Sequence, residues 1–335
     1  MPPPSVSVVV TARNEERTVK RCLSALVDQD YPEFEVVFVD AGSRDATLRT
    51  AQAMATDHPN LRILQYPGNP SQCRNMALRT STSDVVAFTD ADVEVPATWL
   101  KTTVETLFSN SEIGGVGGPN LPVRKRDGGV IKIIDLMLTT SLGSMRSAQS
   151  YDFKERTEVK SIPCCNAAYL RKALVEVGGF DEELVGCDDT DLGYRLRHMG
   201  RKLVFEPQAR VLHSVKFGTL RQFAKLMFKY GRGRGYAARK KRYLFSGPAI
   251  PATGIIIGIP FLLIWTEMSR SLIPLLTPIA LYAIAVEGYS LAVAVSKRVP
   301  RVAALGPVVL VTEHVSYFLG FISGILDRRA SRWSD

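Results

Sequence analysis

The chain has 335 residues, 46% of them hydrophobic, which is room for one good-sized globular core and a smaller element beside it. Lysine and arginine exceed aspartate and glutamate by 42 − 33 = 9. The excess is local, and with membrane-like spans beside it lipid is a better partner than nucleic acid. Five cysteines with no C-x-x-C spacing, an odd count with one adjacent pair, make a poor disulfide framework and are expected to be reduced core residues, and Met1-Pro2-Pro3-Pro4 runs straight into a strand without a secretory signal, so the soluble part is expected in the cytosol.

The first elements alternate. Val6 to Val10, Glu35 to Val39, Leu61 to Leu64 and Asp84 to Phe88 are short apolar runs ending in polar loops. Helical patterns separate them, such as Val19, Cys22, Leu23 and Leu26. Alternation of this kind predicts an α/β fold, a mostly parallel sheet covered by helices, with ligands beyond the carboxyl ends of the strands. After a weak stretch from Leu121, which carries the basic loop Arg124-Lys125-Arg126 and an apolar segment at Ile131 to Leu142, strand signal resumes at Ile162 to Leu170. The turn Gly178-Gly179-Phe180-Asp181 follows, then a helix in which Leu192, Leu196 and Met199 repeat, fixing Asp188, Asp189 and Asp191 in its first turn.

From Ser246 to Thr266 there is no ionisable side chain, and further apolar spans lie near 272–296 and 302–326, interrupted by Glu287 and by Glu313-His314. The bases Arg239-Lys240-Lys241-Arg242 precede the first span, as expected on a cytoplasmic face. The expected organisation is a catalytic domain at 1–230, a basic juxtamembrane segment at 231–245, two or three membrane helices at 246–327 and a basic tail at 328–335. Charge placement favours two crossings plus a re-entrant or interfacial segment, which keeps Lys297, Arg298 and the tail inside. The protein is therefore expected in the cell membrane, multi-pass, with its catalytic domain cytosolic.

The chemistry sits at the strand ends. Asp90 and Asp92, alternate residues just past a buried strand, can aim at one crevice, one reaching Mg²⁺ or Mn²⁺ and the other a sugar hydroxyl or the ion's water shell. The loops with Thr11, Arg13, Asn14 and Glu15 and with Asp40, Gly42, Ser43 and Asp45 follow earlier strands. Asp40 can accept from a uracil or guanine N–H, while Asp45 caps the next helix. Arg74-Asn75 opens a helix before the fourth strand and is placed to steady the nucleotide loops or the neighbouring acids, with a surface ion pair as the alternative. From Lys229 to Gly235, Arg232 and Arg234 stand on a flexible, glycine-rich backbone suited to phosphate or to a membrane surface.

Six segments, V-S-V-V-V-T-A-R-N-E, V-V-F-V-D-A-G-S-R-D-A-T, C-R-N-M-A, V-A-F-T-D-A-D, G-G-F-D-E and D-D-T-D-L-G-Y-R-L, make the chain resemble a family 2 glycosyltransferase of the GT-A fold, like enzymes of polysaccharide or lipid-linked glycan assembly. The resemblance implies inverting transfer from a UDP- or GDP-linked sugar. It assigns Asp40 to the nucleobase, Asp90 to the ribose or diphosphate region, Asp92 to the metal and Asp189, beside Asp188, to the general base. Similar enzymes often have a histidine at the place of His213, facing metal or diphosphate. Two departures stand out: Asp40-Ala41-Gly42-Ser43 replaces the usual D-D-G-S, and Asp188-Asp189 the usual E-D. An inverting enzyme needs a carboxylate on the acceptor side to take the hydroxyl proton, which fits Asp189, although an ionised lipid phosphate would need it only for positioning. A processive synthase is a rival, but its Q-x-x-R-W segment has only the tail Arg329 to Trp333 to answer it, without the glutamine. A non-catalytic membrane scaffold is opposed by intact acids at every donor position.

Overall fold

A computed structural model describes residues 2–123, 129–145, 147–151, 153–184, 186–215, 217–244 and 249–327, and the side chains of 249–257 are not among them. The basic triplet Arg124-Lys125-Arg126 and the tail at 328–335 lie outside the described residues. The chain divides into two compact units, one of Met1–Arg124 with Ser147–Val215 and one of Lys125–Arg146 with Lys216–Asp335.

In chain order the first unit begins β1 (Val6–Ala12), α1 (Val19–Val27), β2 (Phe34–Asp40), α2 (Thr47–Asp57), β3 (Leu61–Gln65), α3 (Pro70–Thr80), β4 (Val85–Asp90), β5 (Val93–Glu94), α4 (Trp99–Phe108), β6 (Ile113–Gly117) and β7 (Asn120–Val123). Helices α5 (Gly129–Leu138) and α6 (Ser141–Ser144) come next in sequence but belong to the second unit. The first unit then resumes with β8 (Thr157–Glu158), β9 (Asn166–Leu170), α7 (Arg171–Glu176), α8 (Asp188–His198), β10 (Lys202–Phe205) and β11 (Val211–Ser214).

Eight strands form one sheet in the order β3-β2-β1-β4-β9-β6-β10-β8. It is mostly parallel, as expected, but β9 runs antiparallel between β4 and β6, and β8 antiparallel to β10. Strand residues alternate between two apolar layers. Val8, Val10 and Phe38 pack with Leu23 and Leu26 of α1 and Trp99 of α4. Val9, Val37 and Phe88 pack with Cys73 and Ala77 of α3 and Leu192 and Leu196 of α8. The period of two in the strands thus dictates a helix-covered sheet. Met199, assigned above to the helical repeat, is instead exposed at the end of α8. No disulfide joins the five cysteines, and four of them are buried.

The second unit continues with α9 (Leu220–Lys240), α10 (Ala249–Ser269), α11 (Ile273–Ser296) and α12 (Arg301–Leu326). Helices α11 and α12 are long and apolar enough to cross a membrane. The segment Lys229 to Gly235, read above as flexible, is the middle of regular helix α9. Its glycines serve packing. A side chain on Gly231 or Gly235 would strike the carbonyl oxygen of Tyr317 or Phe321, and one on Gly320 or Gly324 that of Phe228 or Arg232. Two G-x-x-x-G stripes therefore let the backbones of α9 and α12 touch. Gly320→Leu should force them apart and lower the thermal midpoint of the detergent-solubilised protein by several degrees, since overpacking costs about 1–3 kcal/mol or more. Gly288→Ala, where a Cβ meets nothing within 4 Å, should leave it unchanged or slightly raised.

Candidate active site

Strand register builds the site. Thr11 pairs with Asp90 across β1 and β4, and Ala12 with Asp40 across β1 and β2, so Thr11 and Asp90 share one row and Asp40 lies in the next, both at the carboxyl edge of the sheet. Asp40 is buried, and its Oδ2 accepts from the backbone N–H of Gly42 and of Ser43, both at 3.1 Å. Its Oδ1 is buried without a hydrogen-bond partner, an acceptor whose desolvation nothing in the described protein offsets.

The first two loops clasp each other. Asn14, at φ 58°, donates its N–H to Ser43 Oγ at 3.0 Å and accepts the N–H of Arg44 on Oδ1 at 2.9 Å. Glu15 N–H donates to Thr47 Oγ1 at 2.7 Å. Asn14, Ser43 and the Glu15 backbone thus hold the rows in place, while Arg13 is exposed. Asp45 accepts from the N–H and the hydroxyl of Thr47 at 3.0 and 2.6 Å, at the start of α2.

His213 reaches the acids through strand pairing. Strand β11 runs antiparallel to β5, with His213 opposite Val93, and Ser214 N–H donates to the Asp92 carbonyl at 2.9 Å. Asp92 is buried, its Oδ1 3.3 Å from His213 Nε2. Among the described residues, ligand atoms of Asp90, Asp92 and His213 come within 4.8 Å of one another. Two carboxylates and one imidazole suit a hard or borderline divalent cation such as Mn²⁺ or Mg²⁺, with positions left for phosphate oxygens or water. The donor set fits the ion that the sequence implied.

Helix α3 is the keel under these acids. It begins with a reciprocal cap between Asn69 and Gln72 and a proline in its first turn, which aims its first two turns at the site. Arg74, its side chain only 9% exposed, places Nη1 2.7 Å from Asp188 Oδ2 and Nη2 3.4 Å from Asp90 Oδ1, over the ring of Phe180. Ser71 Oγ adds a bond to Asp188 Oδ2 at 3.3 Å. A buried guanidinium therefore spans the acids of β4 and of α8. The next residue, Asn75, accepts Phe180 N–H and donates to Phe180 C=O, each at 2.8 Å, and also donates to Glu182 at 2.9 Å. It thereby fixes the turn whose Gly178 and Gly179 sit at φ 80° and 71°. Asn75→Ala strands two buried backbone groups of Phe180, at about 1–3 kcal/mol for each unsatisfied group. The thermal midpoint should fall by several degrees, and Asn75→Asp, which keeps one acceptor, should fall between.

The acids of α8 divide their work. Asp191 is fully buried and bound to Arg195, with N–O distances of 2.6 and 2.8 Å, as a structural pair. Asp188 is held by Arg74 and Ser71. Asp189, partly buried, accepts from the N–H and hydroxyl of Thr190 on Oδ1 at 2.6 and 3.2 Å. Burial and the neighbouring Asp188 carboxylate push its carboxyl up to about 6, against the lowering by the Thr190 bonds and Arg74. That is an apt range for a base working near neutrality.

The structure thus brings Thr11, Asp40, Arg74, Asp90, Asp92, Asp188, Asp189 and His213 into the first unit. Arg232 and Arg234 stand on α9 of the second, where Arg232 pairs with Asp327 and Arg234 is buried. Sequence reasoning gave no role to Ser71 or Phe180. Asn75, read together with Arg74 as steadying the loops or acids, binds the Phe180 turn and Glu182 instead.

The family model described as "Glycosyl transferase family 2" matches residues 7–178. Glycosyltransferase AglE of Haloferax volcanii is 29% identical over 238 residues, 69% of this chain and 73% of that protein. The beta-monoglucosyldiacylglycerol synthase of a Nostoc strain is 29% identical over 202 residues, 58% of this chain and only 41% of that longer protein. Among solved structures, the mannosyltransferase PcManGT from Pyrobaculum calidifontis, in complex with GDP-Man and Mn²⁺, superposes with a TM-score of 0.64 at 23% identity, over 97% of this chain and 88% of that one. At that identity the likeness is one of fold.

Proposed function

The chain belongs to glycosyl transferase family 2, and from that premise we propose that it moves a sugar, with inversion and a divalent cation, from a UDP- or GDP-sugar to a lipid-linked acceptor at a membrane. The convergence of Asp90, Asp92 and His213 carries this reading. These three residues would hold Mg²⁺ or Mn²⁺, which when bound offsets the charge of the diphosphate and eases its departure. Asp40, with its unshared buried oxygen, accepts an N–H of the nucleobase. Thr11 and Asp90 flank the sugar-phosphate portion of the donor.

Asp189 takes the proton of the acceptor hydroxyl as that oxygen bonds to the anomeric carbon and the bond to the diphosphate breaks, inverting the configuration. If the acceptor is an ionised polyprenyl phosphate no proton need move, and Asp189 orients the phosphate. Asp188 acts through Arg74. Of the two arginines proposed for an acceptor phosphate, Arg232 is partly buried and Arg234 buried. The cytosolic, multi-pass arrangement is supported by the bases at 239–242 and by Lys297 and Arg298, which flank apolar helices.

The test uses the full chain in detergent or nanodiscs, UDP- and GDP-sugars, and a polyprenyl phosphate. Transfer should vanish in EDTA and return with Mn²⁺, and the product should carry the anomeric configuration opposite to the donor's. Asp92→Asn should lower kcat/KM roughly 100-fold or more, beyond what losing an outer-shell partner costs. Undiminished transfer in EDTA, or a fully active Asp92→Asn, would sink the metal role.

A further inference from the structure

The three cation ligands sit on two pieces of chain with little ladder between them. Asp90 ends β4, Asp92 lies between β4 and β5, and β5 itself is only two residues long. His213 comes from β11, which pairs with β5 at two positions, Leu212 with Glu94 and His213 with Val93. Both strands belong to the small sheet β5-β11-β7, apart from the large one. A ladder this short gives few backbone bonds to hold His213 at a fixed distance from the acids. A metal ion nevertheless asks for ligand distances good to about 0.2 Å.

Helix α1 supplies what the ladder lacks. The Arg21 guanidinium reaches both strands: Nε lies 2.9 Å from Glu94 Oε2, and Nη2 donates to Ser214 Oγ at 2.9 Å. Glu94 is two residues past Asp92, and Ser214 follows His213. Ser214 is tied twice, because its N–H donates to the Asp92 carbonyl at 2.9 Å. The next residue of the helix, Cys22, is buried, and its thiol donates to the Asp90 carbonyl at 3.5 Å. Two adjacent residues of α1 thus hold the chain at or near every ligand of the group. A planar, forked cation suits the task, since it binds two acceptors at a fixed angle.

We propose that Arg21 is a positioning residue for the cation: by joining Glu94 of β5 to Ser214 of β11 it fixes His213 against Asp90 and Asp92, and so sets the affinity for Mn²⁺ or Mg²⁺. The inference rests on the metal reading of this site given above. As an ordinary ion pair the contact counts for little, because the Arg21 and Glu94 side chains are 47% and 36% exposed and water screens them. Its effect is on geometry. It raises the fraction of molecules whose ligands already converge, and apparent affinity falls in proportion to that fraction when the clamp is lost. Charge alone works in the opposite direction. A guanidinium near the site repels a dication, so its removal would tighten binding if it acted only as a charge.

The opposed signs make the test. Mn²⁺ is titrated into the purified full-length protein and the free ion followed by EPR, alone and again with UDP or with GDP, so no turnover enters the readout. Asp92→Asn is the control that should lose the ion. Arg21→Ala should weaken Mn²⁺ binding about tenfold, the lower end of what outer-shell partners of metal ligands are worth, while the thermal midpoint barely moves. Ser214→Ala, which changes no charge, should weaken it in the same direction, and adding it to Arg21→Ala should weaken it no further. Arg21→Lys keeps the charge without the fork and should recover only part of the loss. Unchanged or tighter Mn²⁺ binding by Arg21→Ala, beside a wild type that binds the ion, would overturn the inference and leave the metal reading standing. A wild type that takes up no Mn²⁺ under any of the three conditions would remove both.

Discussion

Asp189→Asn should lower turnover by about 10²- to 10⁴-fold, the usual range for removing a general base, while the protein stays folded. The wild-type enzyme acting on a hydroxyl acceptor should show a matching pH signature. Its base works only when ionised, so kcat/KM should climb as pH rises through about 6 and level off above it. Stability carries the opposite sign. Folding raises this carboxyl, so the native state holds the proton more tightly than the unfolded chain. The stabilising contribution is present at low pH and is lost as pH rises through about 6. At pH 8 the asparagine variant should therefore unfold at the same temperature as wild type or higher, which separates a catalytic loss from a folding loss. Asp188→Asn removes the neighbouring charge that helps to raise Asp189, and should move the acid limb to lower pH. An Asp189→Asn enzyme of near-normal turnover on a hydroxyl acceptor would show that this carboxylate is not the base. A pH-independent rate on polyprenyl phosphate would assign it to positioning.

The strands and the acids at their ends were legible because both signals are local. Buried strands announce themselves as runs such as Val6 to Val10, and a polar residue directly after such a run must lie at the sheet edge. Asp40, Asp90 and Asp92 were found by that logic alone. Antiparallel β9 was not foreseeable, because Asn166–Leu170 pairs on both sides with strands far off in sequence and nothing in its residues encodes direction. His213 shows the same limit, since its approach to Asp92 depends on the short pairing of β11 with β5. The glycines of α9 misled for a physical reason. Lys229 to Gly235 has the composition of a flexible loop, and only the facing Gly320 and Gly324, remote in sequence, turn that composition into a helix contact. Asp188, Asp189 and Asp191 could be placed on one helical turn from the sequence, but their division of labour depends on Arg74, Thr190 and Arg195, which the fold alone assigns.

Arg74→Ala should be the most damaging single change in the unit outside the metal group. Its guanidinium is nearly enclosed, and removing it leaves Asp188 and Asp90 facing each other across the space it filled. Breaking a buried ion pair from one side costs about 3–5 kcal/mol. Asp188 and Asp90 keep side-chain exposures of 15% and 34%, so the lower end of that range applies, read as a fall of several degrees in the thermal midpoint. Arg74→Lys retains a charge but not the fork that meets two carboxylates at once, and should recover only part of the loss. In the double variant Arg74→Ala with Asp188→Asn, the more buried of the two orphaned charges and its repulsion with Asp90 are gone, so its stability should exceed that of Arg74→Ala alone, a coupling that independent sites would not show. Catalysis offers a second readout. The Arg74 charge lowers the Asp189 carboxyl, so its loss should carry the acid limb of the pH profile upward, opposite to the shift from Asp188→Asn. Opposed shifts from two residues that touch each other, one cationic and one anionic, would be hard to produce by general loosening of the fold. They require that both charges act on the same carboxylate.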